Sequence, residues 1–531
     1  MRTRFSLALL LLVAGVAHAD AVLDWNTVLL NAVRTDRTAP PKAARAMAVM
    51  HVAIFDAVNG ITHAYTPYLM TSDAPNGASP DAAAVEAAYR ALVALFPAQQ
   101  ATFDAARTSS LAQISDDPTK TAGITWGGQV AQAILAARAN DHTNDIVNYS
   151  APTGANWWIP TPPAFAAALL PNWPTVTPWC MTSADHLRSN APPSPVSSVY
   201  TDAFREVKAL GRVDSTLRTA DQTQIALFWA DGAGTATPPG HWLLIAQSIS
   251  QQKHLTLSQN ARLFALLSLT VADAAIVAWD TKYAYNNWRP ITGIQHADVD
   301  GNPDTDADTN WTPLIATPPF PSYTSGHSTF SASSARLLSQ FFGTDQISFS
   351  TTSDGLPGVT RNFTSLSQAA DEAGQSRIYG GIHWQFDNQT GLRNGRVLAD
   401  EVFFGFLGPV TQPGTCSAGV STLCLNKGRF KVQATFATVS GGAAQVAFAE
   451  AQGTDSGRYW FFSPDNTEVT LKVLNGCGIN SRYWVFAAGL TNLETLITVT
   501  DMQTGKSRRY YNAPGKTFAP VQDVNAFATC P

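Results

Sequence analysis

Phe320-Pro321-Ser322-Tyr323-Thr324-Ser325-Gly326-His327 runs into Ser328-Thr329-Phe330-Ser331, and a small-residue, apolar helical pattern continues through Leu337, Leu338 and Phe341. The stretch reads as a loop that opens into a helix N-terminus. Unpaired backbone N–H groups and the positive end of the helix dipole favour an anion at such a terminus. Gly326 lets the backbone approach closely, Ser325 adds a hydroxyl and His327 adds a proton carrier.

Two further stretches supply what this pocket lacks. Upstream, Lys282-Tyr283-Ala284-Tyr285-Asn286-Asn287-Trp288-Arg289-Pro290 places two cations seven residues apart, which on one continuing helix is two turns and a shared face. Downstream, Ser376-Arg377-Ile378-Tyr379-Gly380-Gly381-Ile382-His383-Trp384-Gln385-Phe386-Asp387 brings a third cation, a second histidine and a carboxylate. Three cations can neutralise a multiply charged oxyanion, and guanidinium forks grip oxygens two at a time. Pre-aimed donors of this kind also stabilise charge that develops on oxygen during a reaction. Imidazole titrates near working pH, so His327 and His383 can divide the work of nucleophile or ligand and of general acid–base. Asp387 would hold His383 in one tautomer or pair with an arginine.

The ordered set K-x6-R-P, S-G-H and S-R-x5-H-x3-D resembles the signature shared by vanadium-dependent haloperoxidases and the type-2 phosphatidic acid phosphatase (PAP2) superfamily. The looser resemblance runs over roughly residues 25 to 407. It implies a mainly α-helical bundle and a site for vanadate, with phosphate able to occupy the same place. It also implies that His383 bonds the central atom as the metal ligand, that His327 is the acid–base group, and that Lys282, Arg289, Ser325, Gly326 and Arg377 hold the oxygens. Trp279 and Phe320 stand where resembling chloroperoxidases place the aromatics of the halide pocket. Thr324 occupies a position where many relatives carry proline.

Two activities follow from the resemblance. A haloperoxidase would use hydrogen peroxide, a halide and a small organic acceptor, with Lys282 polarising the peroxide. An acid phosphatase would act on a phosphate ester through a phosphohistidine at His383. The aromatic wall and the lack of membrane-spanning helices favour the first. A non-catalytic exported binding protein would be marked by a missing motif residue, and every motif residue is present.

The 531 residues exceed one ordinary core. With 14% charged residues and a net charge of −5, the chain carries no basic footprint for nucleic acid. Residues 1–19 combine Arg2 and Arg4, an apolar run from Leu7 to Val16 and Ala17-His18-Ala19, which reads as a signal peptide and predicts a secreted or periplasmic protein. Leu263 to Trp279 is the most apolar later stretch; it is slightly short for a bilayer and flanked by charges, so it is expected to be a buried core helix with no stable membrane insertion. Nothing in the sequence sets the oligomeric state.

Helical patterns are expected from Pro40 to about Gly60, from the Ser79 cap to Phe96, from Trp126 to Asn140, from Thr201 to Leu210, from Thr219 to Ala230 and for some twenty-five residues from Ser258. His51 is expected to be a satisfied helix histidine. Residues 150–200, rich in proline and tryptophan, are a lid near the site or a packing arm. The aspartates of 296–308 miss the EF-hand spacing and read as a solvated acidic loop. Past Pro413-Gly414 the pattern alternates, as in Phe430/Val432/Ala434/Phe436, Val469/Leu471/Val473 and Leu496/Thr498/Thr500, with a hairpin turn at 503–506. The expected division is therefore 1–19 signal peptide, 20–412 helical catalytic domain and 413–531 a small antiparallel β domain of sandwich type. Cys416, Cys424, Cys477 and Cys530 are expected to form disulfides, with three pairings open, and Cys180 to be a buried small residue.

Overall fold

The computed structural model of the chain describes residues 20–152, 154–438 and 444–531; the expected signal peptide lies outside them. The first helices are α1 (Ala21–Asp36), α2 (Pro40–Thr62), α3 (Pro80–Leu95), α4 (Gln100–Ala112) and α5 (Pro118–Ala137). Proline opens α2 and α3 at a position where its missing N–H costs nothing, and Ser79 caps α3 by accepting from the Ala82 amide at 3.2 Å. The sequence pattern placed the start of α5 at Trp126, but the helix begins at Pro118 behind the Asp117 cap. Its first turn is largely exposed and carries no apolar stripe to announce it. His51 on α2 is fully buried; Nε2 lies 3.1 Å from Asn26 Oδ1 and Nδ1 has no partner among the described residues, so the histidine is half satisfied there.

Four more helices follow: α6 (Ser198–Leu210), α7 (Ala220–Phe228), α8 (Thr237–Lys253) and the central α9 (Leu257–Tyr285). Thr256 and Gln259 close a capping box at the start of α9. Every residue from Leu263 to Lys282 is buried, and α9 packs on α2 and α11. At 29 residues, α9 is long enough to cross a bilayer, contrary to the sequence estimate; 94% of its most apolar window is covered by the rest of the fold, as is 89% for α2. The expected core placement holds because of that cover.

Two carboxylates on these core helices fasten irregular chain. Asp273 of α9 accepts from the amides of Trp179, Cys180 and Met181 at 2.7–3.1 Å, and Asp56 of α2 accepts from those of Tyr68, Leu69 and Met70 at 2.8–2.9 Å. The Asp273 clamp lets the segment before α6 bury Trp158, Trp173 and Trp179 without secondary structure of its own beyond a single 3₁₀ turn. Cys180 is partly buried and its thiol is free.

The helices α10 (Pro290–Gln295), α11 (Gly326–Phe342), α12 (Leu366–Tyr379) and α13 (Gln385–Gly405) carry the motifs; a hairpin of β1 (Phe349–Thr352) and β2 (Thr360–Phe363), absent from the sequence reading, separates α11 from α12. Gly391 and Gly395 of α13 set the closest helix approach. A Cβ at Gly391 would lie 2.7 Å from Ser325 O, and one at Gly395 would lie 2.5 Å from Thr329 O, so only glycine lets α13 settle on α11. The 296–308 loop is less solvated than its composition suggests: Asp300, Asn302 and Thr305 are buried and hydrogen-bonded to one another, while Asp298, Asp304 and Asp306 face solvent.

The C-terminal region contains β3 (Thr422–Leu425), β4 (Phe430–Ala437), β5 (Gln445–Val446), β6 (Phe448–Ala451), β7 (Ser456–Trp460), β8 (Val469–Asn475), the short α14 (Cys477–Asn480), β9 (Tyr483–Gly489), β10 (Glu494–Asp501), β11 (Ser507–Asn512) and β12 (Val521–Phe527). They form two five-stranded antiparallel sheets, β11-β10-β4-β3 with β5 on β4, and β12-β9-β8-β7-β6. Inward residues of both join one apolar cluster. On β10 the core face is Ile497 and Val499 rather than Leu496 and Thr498, a one-residue shift that pairing to β4 decides. Tyr511 of β11 stacks on Phe404 of α13 at 5.1 Å and reaches Asp400 at 3.3 Å, joining the sheets to the helices.

Of the three possible pairings, the structure forms Cys416–Cys424 and Cys477–Cys530. They close loops of 8 and 53 residues. Chain-entropy arguments give roughly 2.5 and 4 kcal/mol respectively. The Cys477→Ser/Cys530→Ser variant should therefore lose the larger amount, read as the urea midpoint of the β region; equal losses for the two bridges would contradict the loop-length account.

Candidate active site

The three motifs converge at a cavity of about 450 Å³ whose wall includes Trp279, Phe320, Gly326, His327, Arg377 and His383. Local structure explains each position. Ser325 is the N-cap of α11, its Oγ accepting from the Ser328 amide at 3.3 Å, so Gly326 and His327 occupy the first two helical positions. Asp387 sits in the first turn of α13 and accepts from the Trp384 amide at 3.1 Å, which sets His383 just ahead of the helix. Arg377 lies in the last turn of α12.

Lys282 and Arg289 do not share a helix face. Asn286 adopts the left-handed conformation (φ 47°) and ends α9, and Arg289, held extended before Pro290, caps α10. The turn delivers both cations to the 320–324 loop. Lys282 Nζ donates to the carbonyl oxygens of Pro321, Ser322 and Thr324 at 3.0, 2.9 and 2.5 Å. All three ammonium protons are thereby used in shaping the loop. Arg289 Nε donates to Phe320 O and Nη1 to Ile382 O, both at 2.8 Å. The Phe320 ring lies 4.7 Å from the Arg289 guanidinium carbon, 5.0 Å from Lys282 Nζ and 4.9 Å from the Trp279 ring.

His383 Nδ1 is 2.8 Å from Asp387 Oδ2, and Nε2 is 3.0 Å from Arg289 Nη1. The carboxylate can only accept and the guanidinium can only donate, so the proton resides on Nδ1 and Nε2 keeps its lone pair. Ser322, a residue the motif reading passed over, donates to the same Asp387 oxygen at 2.5 Å. Burial first, then the charges of Arg289, Lys282 and Arg377, hold His383 well below the ordinary imidazole value. His327 is likewise held down by burial and by Arg377. Burial pushes Asp387 up to about 6 and lowers Arg289 to about 9 and Arg377 to about 10. Nitrogen-detected NMR at pH 6.5 should therefore show both imidazoles neutral, with His383 in the Nδ1–H form; an imidazolium pattern would contradict this electrostatic arrangement.

The donor set fits an oxyanion. Arg289 Nη2, Arg377 Nε and His327 Nε2 are buried without a hydrogen-bond partner among the described residues. Buried guanidinium N–H groups without an acceptor are costly, and a multiply charged oxyanion would satisfy them. Among the described residues no group of three or more His, Cys, Asp or Glu is placed to hold a metal cation.

Other wall residues gave no sequence signal. Asp231, beyond α7, lines the cavity and pairs with His241 Nδ1 at 3.2 Å, and the nearby Trp229 carbonyl oxygen accepts from Arg377 Nη1 at 2.8 Å. Leu169 from the proline-rich segment also lines the cavity, its carbonyl accepting from Trp279 Nε1 and Tyr283 OH. That segment is both a packing arm and part of the wall.

Residues 262–406 match the family described as the VCPO second helical-bundle domain. The chain is 27% identical over 494 residues to vanadium chloroperoxidase of Curvularia inaequalis, covering 70% of this chain and 79% of that protein. It is similar to the crystal structure of the first bacterial vanadium-dependent iodoperoxidase, with a TM-score of 0.63 and 29% identity over 72% of this chain and 94% of that one. The fold of an apo-type bacterial vanadium-dependent chloroperoxidase also matches, with a TM-score of 0.56 and 17% identity over 68% and 91% of the two chains. In its ordered motifs, its helical architecture and the extent of these matches, the chain is similar to vanadium haloperoxidases.

Proposed function

We propose that the protein is a vanadium-dependent haloperoxidase that converts hydrogen peroxide, a halide ion and a proton into hypohalous acid and water. The observation that carries this reading is His383, with its proton fixed on Nδ1 by Asp387 and its Nε2 lone pair beside Arg289, in a cavity where Arg289 Nη2 and Arg377 Nε have no hydrogen-bond partner among the described residues. His383 would hold vanadate, while Arg289 and Arg377 would balance its oxygens. When bound, vanadate supplies a Lewis-acidic centre that polarises peroxide without changing oxidation state. Lys282 contributes positive charge beside the site while its protons hold the 321–324 loop. His327, neutral and with Nε2 free, takes the proton that peroxide sheds and returns it to a product oxygen. Trp279 and Phe320 offer an apolar face that limits water near the reacting oxygen.

The same reading treats residues 20–412 as the catalytic body, 413–531 as an accessory sandwich, and residues 1–19 as an export signal. Two disulfides in the C-terminal region suit an oxidising compartment. The test is vanadate-dependent bromination of a phenolic dye by phosphate-free protein with hydrogen peroxide, run beside p-nitrophenyl phosphate hydrolysis by vanadate-free protein. Halogenation that requires vanadate supports the haloperoxidase; phosphate release inhibited by vanadate, without halogenation, would replace it with a phosphatase on the same scaffold.

A further inference from the structure

The oxyanion chemistry occupies only part of the cavity. Its remaining wall is apolar and comes from Pro40, Leu169, Ile315, Pro318 and Phe330, and it includes one charged side chain with no role so far, Arg37. Arg37 caps the end of α1. Its neighbours' charges are engaged: Arg34 pairs with Asp354 at 2.8 Å, and Asp36 accepts from Thr38 Oγ1 at 2.7 Å. Asp231, the carboxylate on the wall, is hydrogen-bonded to His241 and acts electrostatically on Arg377. The Arg37 guanidinium forms no hydrogen bond or ion pair among the described residues.

The loop opposite makes room for this group. Gly234 has φ +90°, and a Cβ there would come within 2.9 Å of Arg37 Nη1. A Cβ at Gly232 on the same loop would meet nothing within 4 Å, which leaves open space along the wall. The volume of about 450 Å³ is in the range of roughly 300–1,000 Å³ typical of sites for small organic ligands.

We propose that this part of the cavity is a subsite for a small aromatic organic anion, with its ring on the proline and aromatic wall and its carboxylate or phenolate on Arg37. An exposed guanidinium alone would attract any anion weakly. The adjoining apolar wall selects those that carry a ring, and the fork geometry favours a planar carboxylate. As an account of the acceptor, the inference rests on the haloperoxidase reading: a ring held here would meet the hypohalous acid before it escapes to solvent. The binding step itself needs no vanadate.

The test is calorimetric titration of the full-length, vanadate-free protein with benzoate, its neutral counterpart benzamide, and acetate, in the wild type and in Arg37→Gln and Arg37→Lys. Loss of one charge-assisted contact corresponds to about a tenfold change in affinity. Benzoate is expected to bind about tenfold more tightly than benzamide or acetate. Arg37→Gln should bring benzoate down to the benzamide level and leave benzamide unchanged, and Arg37→Lys should restore part of the preference. Orthophosphate, titrated in parallel, should bind wild type and Arg37→Gln alike and should not displace benzoate. Absence of benzoate binding, equal affinities for benzoate and benzamide, an unchanged Arg37→Gln, or competition between benzoate and orthophosphate would each overturn the subsite. If wild-type protein fails to bind orthophosphate while benzoate discrimination follows Arg37, the oxyanion site falls and the subsite stands.

Discussion

His383→Ala is expected to lose at least about 10³-fold in vanadate-dependent turnover, because it removes the group proposed to carry the anion. The remaining cations would still attract an oxyanion, so weak vanadate binding should persist in a calorimetric titration while halogenation does not. Asp387→Asn tests the physical cause more finely. Asp387 Oδ2 accepts at 2.8 Å from His383 Nδ1, and an amide there can present N–H to that nitrogen instead. The proton would then move to Nε2, facing the Arg289 guanidinium 3.0 Å away, and the lone pair needed to carry the anion would be lost. Turnover should drop on the order of 10²–10³-fold with the cradle otherwise intact. The NMR signature would be an Nε2–H imidazole. An Asp387→Asn protein with wild-type turnover would show that Asp387 does not set the tautomer and would remove the basis for the assigned ligand atom.

Asp273→Ala should cause the largest loss of stability from a residue outside the site. The carboxylate is fully buried in α9 and satisfies three amides, those of Trp179, Cys180 and Met181. Each orphaned buried N–H costs about 1–3 kcal/mol unless water reaches it. With a cavity added, the expected loss is about 4–5 kcal/mol. Asp273→Asn retains one acceptor oxygen and should lose roughly half as much. The reading is the first transition in guanidinium chloride followed by tryptophan fluorescence, since Trp173 and Trp179 report on this segment; the β region can unfold separately. A change below about 1 kcal/mol for Asp273→Ala would mean that the amides find other acceptors and that the clamp does not hold the segment. Because Leu169 lines the cavity from the same segment, a loosened clamp should also weaken ligand binding there.

The parts of this protein that local chemistry controls were legible in the chain itself. Pro40 and Ser79 start helices because caps and missing N–H groups act within a few residues, whereas the expected start at Ser258 falls two residues inside the Thr256 cap. The ordered motifs pointed to Gly326, His327, Arg377 and His383, which share one cavity wall, and the Ser325 cap makes the S-G-H stretch a helix start as expected. Period-two alternation located β4 and β8, because strand burial is written residue by residue.

What tertiary structure alone decided depends on groups far apart in sequence. Asn286 ended α9 early, so Lys282 and Arg289 meet the 320–324 loop from two elements, and the protons of Lys282 go to carbonyls no spacing could indicate. Ser322 on Asp387, the Asp231–His241 pair, the two amide clamps, the core face of β10 and the choice of disulfides are likewise set by which surfaces pack together. Arg37 acquires meaning only when the end of α1 is brought to a cavity whose wall is otherwise built mostly from residues 169 to 383. Capping and periodicity are short-range and can be read one segment at a time; the partner of a buried charge is fixed by the whole packed core.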